Sequence, residues 1–272
     1  MVKKNNIKES KKPFSIGIIG GGQLALMLVE AAKARSLKVS VQTNNYSDPG
    51  ATFADHVVKY DPLNTKGNKN LIDLCDKILF ENEWIQINKL RAFGSDNTFL
   101  PSLDALAPLV DRISQKRVIK RLNLPTPRWI TLSEFKKLDS KSIDNWKFPL
   151  MAKSFKGGYD GKGNKRIASI TDYEFFLSQI SSEEWILEEW VDYDNEFALI
   201  GSRDLNGVIR LFPVVETFQN NNVCEWVLAP AEIDYEVNKF ALNIFSSIVN
   251  ELNYVGVLAI EFFYGNEGLL IN

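Results

Sequence analysis

Residues 153–163, Lys153-Ser-Phe-Lys-Gly-Gly-Tyr-Asp-Gly-Lys-Gly163, gather the residue types that hold a phosphate. Glycines let a backbone turn so that several N–H groups converge on an anion, and Lys153, Lys156 and Lys162 add ammonium charge. The run is not a Walker loop, because Asn164 follows Gly163 where Gly-Lys-Ser/Thr would be needed. A flap over a nucleoside triphosphate and a plain flexible hairpin both fit these residues. The other reactive groups are carboxylates. Glu81 and Glu83 follow the apolar run 76–80, Glu188 and Glu189 end another run, and Glu196 enters a third. Glu261 lies inside an apolar strand pattern, where a carboxylate is costly unless paired or metal-bound. Taken singly, each of these acids also fits a solvated surface or a satisfied strand position. One histidine, His56, and two cysteines, Cys75 and Cys224, leave no His-rich metal site, no C-x-x-C and little basis for a nucleophile–histidine pair. Catalysis would have to rest on carboxylates, lysines and arginines.

Such groups need strand ends to hold them. Residues 14–19 read as a strand running into Gly20-Gly-Gly-Gln-Leu-Ala25, then a helix closing near Arg35 and a strand at 38–42. This order opens a doubly wound α/β domain. Gly20-x-Gly22-x-x-Ala25 matches a relaxed dinucleotide fingerprint, but Thr43-Asn-Asn45 stands where an acid should bind a ribose, which speaks against NAD. A small phosphate or substrate at the helix N-terminus stays open. Strands are expected at 54–60 and 76–80, with a helix at 70–75 between them. Pro125-Thr-Pro127 marks the linker into a second unit, and the boundary is placed near residue 110. There the pattern predicts strands at 129–132, 148–152, 184–191 and 193–200, the last two as neighbours. A capping pattern at 171–174 opens a helix to Ile180, a strand follows at 208–214, a helix at 235–252 and a hairpin at 257–272. Residues 1–13 carry five lysines and no apolar stretch, and read as a disordered basic tail. A net charge of −2 and a pI near 5.7 argue against nucleic acid or a membrane as partner. The two lone cysteines fit a reducing cytoplasm.

In this order the pieces resemble the ATP-grasp superfamily, and within it the 5-(carboxyamino)imidazole ribonucleotide synthases of purine biosynthesis. The residues that carry the resemblance are Ile19-Gly-Gly-Gly-Gln-Leu24, Phe80-Glu-Asn-Glu83, Lys156-Gly-Gly-Tyr-Asp-Gly-Lys-Gly163, Pro230-Ala231, Glu251-Leu-Asn-Tyr-Val-Gly-Val257 and Glu261-Phe-Phe263. It implies a doubly wound parallel-sheet pre-ATP-grasp domain at 14–110 and an α+β ATP-grasp domain at 111–272. The implied reaction uses ATP, Mg2+ and bicarbonate to carboxylate the amine of 5-aminoimidazole ribonucleotide, in a cytoplasmic homodimer. Carried over by position, Arg112 and Lys153 contact ATP phosphates, and Gly158, Tyr159, Asp160, Gly161, Lys162, Gly163 and Asn164 form the flap. Glu188, Glu189, Trp190 and Val191 receive the adenine and Glu196 the ribose; Gln219 and Asn272 complete the ATP contacts, and Glu261 is a Mg2+ ligand. Lys153, Asp160 and Lys162 are the implied catalytic contacts. Gly22, Gln23, Glu81, Tyr159, Asp160 and Lys162 meet the ribonucleotide.

Two departures qualify the resemblance. Gln219 stands where the family has a histidine, which weakens an ATP contact. Family members continue past Asn272 with a second metal-binding glutamate and a C-terminal domain, so the expectation is a truncated product that binds ATP–Mg weakly and turns over negligibly. Another ATP-grasp ligase, such as a formate-dependent glycinamide ribonucleotide transformylase, and a non-catalytic nucleotide-binding remnant are the competing readings.

Overall fold

Ser15–Ile19, here β1, is buried at every residue, as an apolar strand must be when parallel neighbours flank it and helices cover both faces. The computed structural model describes residues 13–155, 163–182, 184–220 and 223–272. The lysine-rich residues 1–12 and the glycine run 156–162 lie outside that description. Two compact units are present, one to Leu103 and one from Asp104.

In the first unit β1 is followed by α1 (Gln23–Lys33), β2 (Lys38–Thr43), α2 (Pro49–Phe53), β3 (His56–Lys59), α3 (Thr65–Leu74), β4 (Lys77–Phe80) and α4 (Ile87–Leu90). The sheet is parallel throughout, in the order β3-β2-β1-β4. Ala25, Val29 and Ala32 of α1, spaced one and two turns apart, pack on Ile16, Ile18, Val39 and Val41. Helix α3 begins five residues before the expected 70. Asn64 caps it by accepting from the N–H groups of Lys66 and Gly67, and the amide of Asn68 donates to Gln42 and to the carbonyl of Pro62. The polar composition of 65–70 concealed a helix turn whose polar groups are satisfied by the sheet.

The short α5 (Leu103–Leu106) leads to the second unit. Here α6 (Arg112–Arg121), β5 (Trp129–Thr131), α7 (Leu132–Phe135), α8 (Ser140–Ile143), β6 (Leu150–Ser154), β7 (Asn164–Ile167), α9 (Ile170–Gln179) and β8 (Trp185–Glu189) come first. Then follow β9 (Asn195–Arg203), β10 (Ile209–Leu211), β11 (Val215–Asn220), β12 (Val223–Leu228), α10 (Tyr235–Glu251), β13 (Gly256–Gly265) and β14 (Gly268–Ile271). They make a four-stranded antiparallel sheet β5-β8-β6-β7 and a six-stranded sheet β12-β11-β9-β13-β14, with β10 beside β9.

Three expectations are corrected. β8 and β9 are not neighbours: both edges of β8 are taken by β5 and β6, and β9 belongs to the other sheet. The expected strand at 208–214 is shorter, β10 at Ile209–Leu211, and ends before Pro213, which has no N–H to give a ladder; a separate strand, β11, begins at Val215. The cap of α9 is Ser169, whose hydroxyl accepts from the N–H of Asp172, rather than Thr171.

In the second unit, each of these two sheets packs one face on an apolar core. Leu150, Ala152 and Leu187 point into a core with Phe135, Trp146, Tyr173 and Phe176, in which the Phe135 ring meets Trp146 and Tyr173 edge to face. The period of two therefore turns Lys153, Met151, Glu188 and Ile186 to the opposite face. In the six-stranded sheet Ala241, Ile244 and Phe245 of α10 are fully buried. A Cβ at Gly201 would lie 2.6 Å from the Phe245 ring, so this glycine lets the ring rest on β9. Replacing Phe245 with Ala should cost about 3–5 kcal/mol through cavity formation, read as a lower urea midpoint; a change below about 1 kcal/mol would show that α10 does not form that core.

Candidate functional site

Lys153 and Glu188, on adjacent strands of the four-stranded sheet, meet a third buried charge, Lys116 of α6. The Lys153 ammonium lies 2.7 Å from Glu188 Oε2 and the Lys116 ammonium 2.6 Å from Oε1. Their relative exposures are 6 %, 4 % and 2 % for Lys153, Lys116 and Glu188. Burial alone would push the Glu188 carboxyl up, but the Lys153 and Lys116 charges hold it at about 2. Lys116 is pushed down, first by burial and then by the charges of Lys153 and Arg112, against the pull of Glu188. Two cations share one anion, so the group carries a net charge of +1 in a place water barely reaches.

The group reaches the edge of the six-stranded sheet. The Lys116 ammonium donates to the hydroxyl of Thr126 (2.6 Å), which donates to the carbonyl of Ile271 (2.9 Å). Lys153 donates to Asn272 Oδ1 (2.9 Å) and sits 5.9 Å from the centroid of the Phe263 ring. Asn272 N–H in turn donates to the carbonyl of Glu261 (3.0 Å), and its amide lies 3.5 Å from Glu261 Oε2. Cross-strand rows set the rest. Glu196 is opposite Phe263 and Thr217, and Glu261 is opposite Ala198, so Glu196, Glu261 and Phe263 share the face away from α10. Tyr193 stacks on Phe263 with ring centroids 4.5 Å apart, and its hydroxyl donates to Glu196. Burial, then Glu196, pushes the Tyr193 phenol up.

Arg112 joins this cluster from the first turn of α6: its N–H donates to the carbonyl of Phe155 (3.0 Å) and its Nε to that of Ser154 (3.1 Å). Gly163 accepts from the N–H of Ser154, and Asn164 lies opposite Lys153 in the β6–β7 ladder. Glu189 points to the other side of β8 and pairs with Arg128 at 2.9 Å. Trp190 and Val191 continue beyond β8, with the Arg166 guanidinium 5.3 Å from the Trp190 ring. Gln219 is exposed on β11, opposite Cys224 at a register shift. Gly158, Tyr159, Asp160, Gly161 and Lys162 lie outside the described residues. Lys116, Thr126 and Tyr193 were missed by the sequence reading. The one sequence signal for Lys116 is its place four residues after Arg112, on the same helix face.

The first unit holds its own polar cluster. Gly22 N–H, at the start of α1, donates to Glu81 Oε2 (2.9 Å), and Glu81 follows β4 directly. Gly20 has φ of +115°, and a Cβ there would lie 2.3 Å from Glu81 Oε2. The carboxylate thus sits on the helix N-terminus, where its charge complements the dipole. Gln23, in the first turn, is exposed, and Thr43 donates to Asp48 beside Gly21.

A metal could be held at Glu261, whose hard oxygens suit Mg2+. Among the described residues no group of three or more His, Cys, Asp or Glu is present. One carboxylate with phosphate oxygens is a donor set Mg2+ accepts.

Because Glu188 is ionised in the folded chain down to about pH 2, its contribution is present above pH 4.5 and fades as pH falls through that window. Glu188→Gln should cost about 3–5 kcal/mol near neutral pH by stranding two buried cations. Urea denaturation at pH 7 and pH 3 should show the gap to the parent shrinking at the lower pH. A gap independent of pH would contradict the assignment.

Comparisons with known proteins bear on the family and the fold. The family description "Ribonucleotide synthetase preATP-grasp domain" matches residues 14–109 and "ATP-grasp domain" matches residues 117–272. The chain is 40 % identical over 253 residues to N5-carboxyaminoimidazole ribonucleotide synthase of Synechocystis sp., covering 93 % of this chain and 63 % of that protein. It therefore spans under two thirds of that relative's length. A crystal structure of an N5-carboxyaminoimidazole ribonucleotide synthetase in complex with ADP superposes with a TM-score of 0.88 at 30 % identity, covering 96 % of this chain and 69 % of that one. The N5-carboxyaminoimidazole synthetase of Staphylococcus aureus complexed with ADP gives 0.86 at 27 % identity, over 96 % and 70 %. The chain belongs to the ATP-grasp family and, within it, to the N5-carboxyaminoimidazole ribonucleotide synthase group.

Proposed function

We propose that the protein uses ATP to carboxylate the 5-amino group of 5-aminoimidazole ribonucleotide with bicarbonate, giving N5-carboxyaminoimidazole ribonucleotide, ADP and phosphate. The observation that carries the reading is the buried Lys116–Glu188–Lys153 group, with net charge +1, beside an open sheet face that presents Glu196 and Glu261. A cation at one end and two carboxylates along a face suit a nucleotide's phosphates, ribose and metal in turn. Two family members with this fold have been solved with ADP bound.

In this reading a bicarbonate oxygen attacks the γ-phosphorus of ATP, the bond to the β-phosphate oxygen breaks, and carboxyphosphate and ADP result. The amine nitrogen then bonds to the carboxyl carbon, of carboxyphosphate or of the CO2 it releases, as phosphate departs and the nitrogen loses a proton. Lys153 and Arg112 hold phosphate oxygens, residues 188–191 hold the adenine, and Glu196 accepts from the ribose hydroxyls. Bound Mg2+, held by Glu261, would neutralise phosphate charge. The reaction needs little covalent chemistry from the protein, which matches a chain with one histidine. We assign Tyr159, Asp160 and Lys162 to the ribonucleotide, and Glu81, Gly22 and Gln23 of the first unit to the same substrate. Among the described residues no helix is long and apolar enough to cross a membrane; a cytoplasmic homodimer is the assembly we propose by family.

Two measurements test this. ADP release by the chain, however slow, should rise only when bicarbonate and 5-aminoimidazole ribonucleotide are both present; stimulation by formate and glycinamide ribonucleotide instead would replace the reading. In calorimetric titrations, Glu196→Ala should weaken adenosine and ADP alike, by roughly tenfold, because both carry the ribose. Lys153→Met should weaken ADP by about the same factor and leave adenosine nearly unchanged. Equal loss of both ligands in the lysine variant would remove Lys153 from the phosphate site.

A further inference from the structure

We infer that Lys116 is a positioning residue that neutralises Glu188 so that the charge of Lys153 is left over for a phosphate. The inference rests on the nucleotide reading above and adds a residue to it. Lys116 and Lys153 both touch the same carboxylate, but their other contacts differ in kind. Lys116 is closed in by protein: its second partner is the Thr126 hydroxyl, itself tied to the Ile271 carbonyl. Lys153 has as its second partner the neutral amide oxygen of Asn272, next to Glu261 on the open face. An incoming phosphate oxygen can replace that amide, whereas nothing in the surroundings of Lys116 invites an anion.

The charge count gives the consequence. With Lys116 present, Glu188 remains matched when Lys153 turns to a phosphate, and the three groups keep their surplus positive charge. Without it, Glu188 and Lys153 form a neutral buried pair, and drawing Lys153 to a phosphate would strand the carboxylate in a site 2 % exposed. Arg112, one turn before Lys116 on α6 and anchored to the carbonyls of Ser154 and Phe155, adds its charge from the same helix. The helix thereby delivers two cations to the end of β6, one facing the phosphates and one facing Glu188. A purely structural alternative exists, in which Lys116 only locks α6 to the sheet, and it makes different predictions.

The test is the ratio of ADP to adenosine affinity, measured by calorimetry with Mg2+ present, in four chains. The parent should prefer ADP. Lys116→Met should lower the preference roughly tenfold or more, with adenosine changed by less than about twofold. Lys116→Arg should restore most of it. Lys116→Met/Glu188→Gln should also restore it, because Lys153 no longer has a carboxylate to satisfy; Lys116→Met alone keeps Glu188 and Lys153 as a matched buried pair, so it and Lys116→Arg carry the test if the double variant, which leaves Lys153 unmatched, does not fold. An unchanged ratio in Lys116→Met, equal loss of both ligands, or a double variant that stays low would overturn the inference while leaving the nucleotide site standing. A parent chain that binds adenosine as tightly as ADP would overturn the nucleotide reading and this inference together.

Discussion

One carboxylate between two ammonium groups organises the second unit. Glu188 is nearly inaccessible to water, and a lone charge there would be expelled or neutralised. It is stable only because α6 and β6 bring their cations to it, and Thr126 of the linker in turn accepts from one of those cations, Lys116. Replacing such a group with apolar side chains is often harmless to stability, so stability alone does not account for its presence. In the nucleotide reading proposed above, a surplus buried positive charge offsets its desolvation cost by taking up a phosphate.

The two sheets divide the labour. Each covers one face with apolar side chains, Leu150, Ala152 and Leu187 in one, Phe262 and Ile260 with α10 in the other. Strand periodicity then turns Lys153 and Glu188 away from the apolar core of the first sheet, toward Lys116 of α6, and Glu196, Glu261 and Phe263 to the face of the second sheet away from α10. The packing that makes the core is thereby also what aims the polar residues. The ladder fixes Glu261 opposite Ala198, and the hydrogen bonds from Asn272 bring the end of β14 to Lys153.

Much of this was legible. The buried run 15–19 before a glycine turn marks a parallel strand and helix, Lys153 stands out directly after an apolar strand, and Glu261 stands out as a charge inside one. The hairpin at 257–272 was expected, and its register sets Asn272 beside Glu261. Lys116 was not legible, because Arg-Ile-Ser-Gln-Lys-Arg-Val reads as a surface helix and only the fold buries its fifth residue. The β11–β12 hairpin escaped for the opposite reason. Its residues are mostly exposed, so no alternation marks them, and their strand character comes from pairing with β9. The sheet exchange between β8 and β9 is a long-range choice that local pattern does not encode.

The central claim is that Lys153 is the cation free to move and Lys116 the one that stays. A crystal structure of this chain with ADP and Mg2+ tests it directly. The account predicts the Lys153 ammonium within hydrogen-bonding distance of a phosphate oxygen while Lys116 remains on Glu188 and Thr126. Lys153 still bound only to Glu188 and Asn272, with the phosphates held elsewhere, would contradict it.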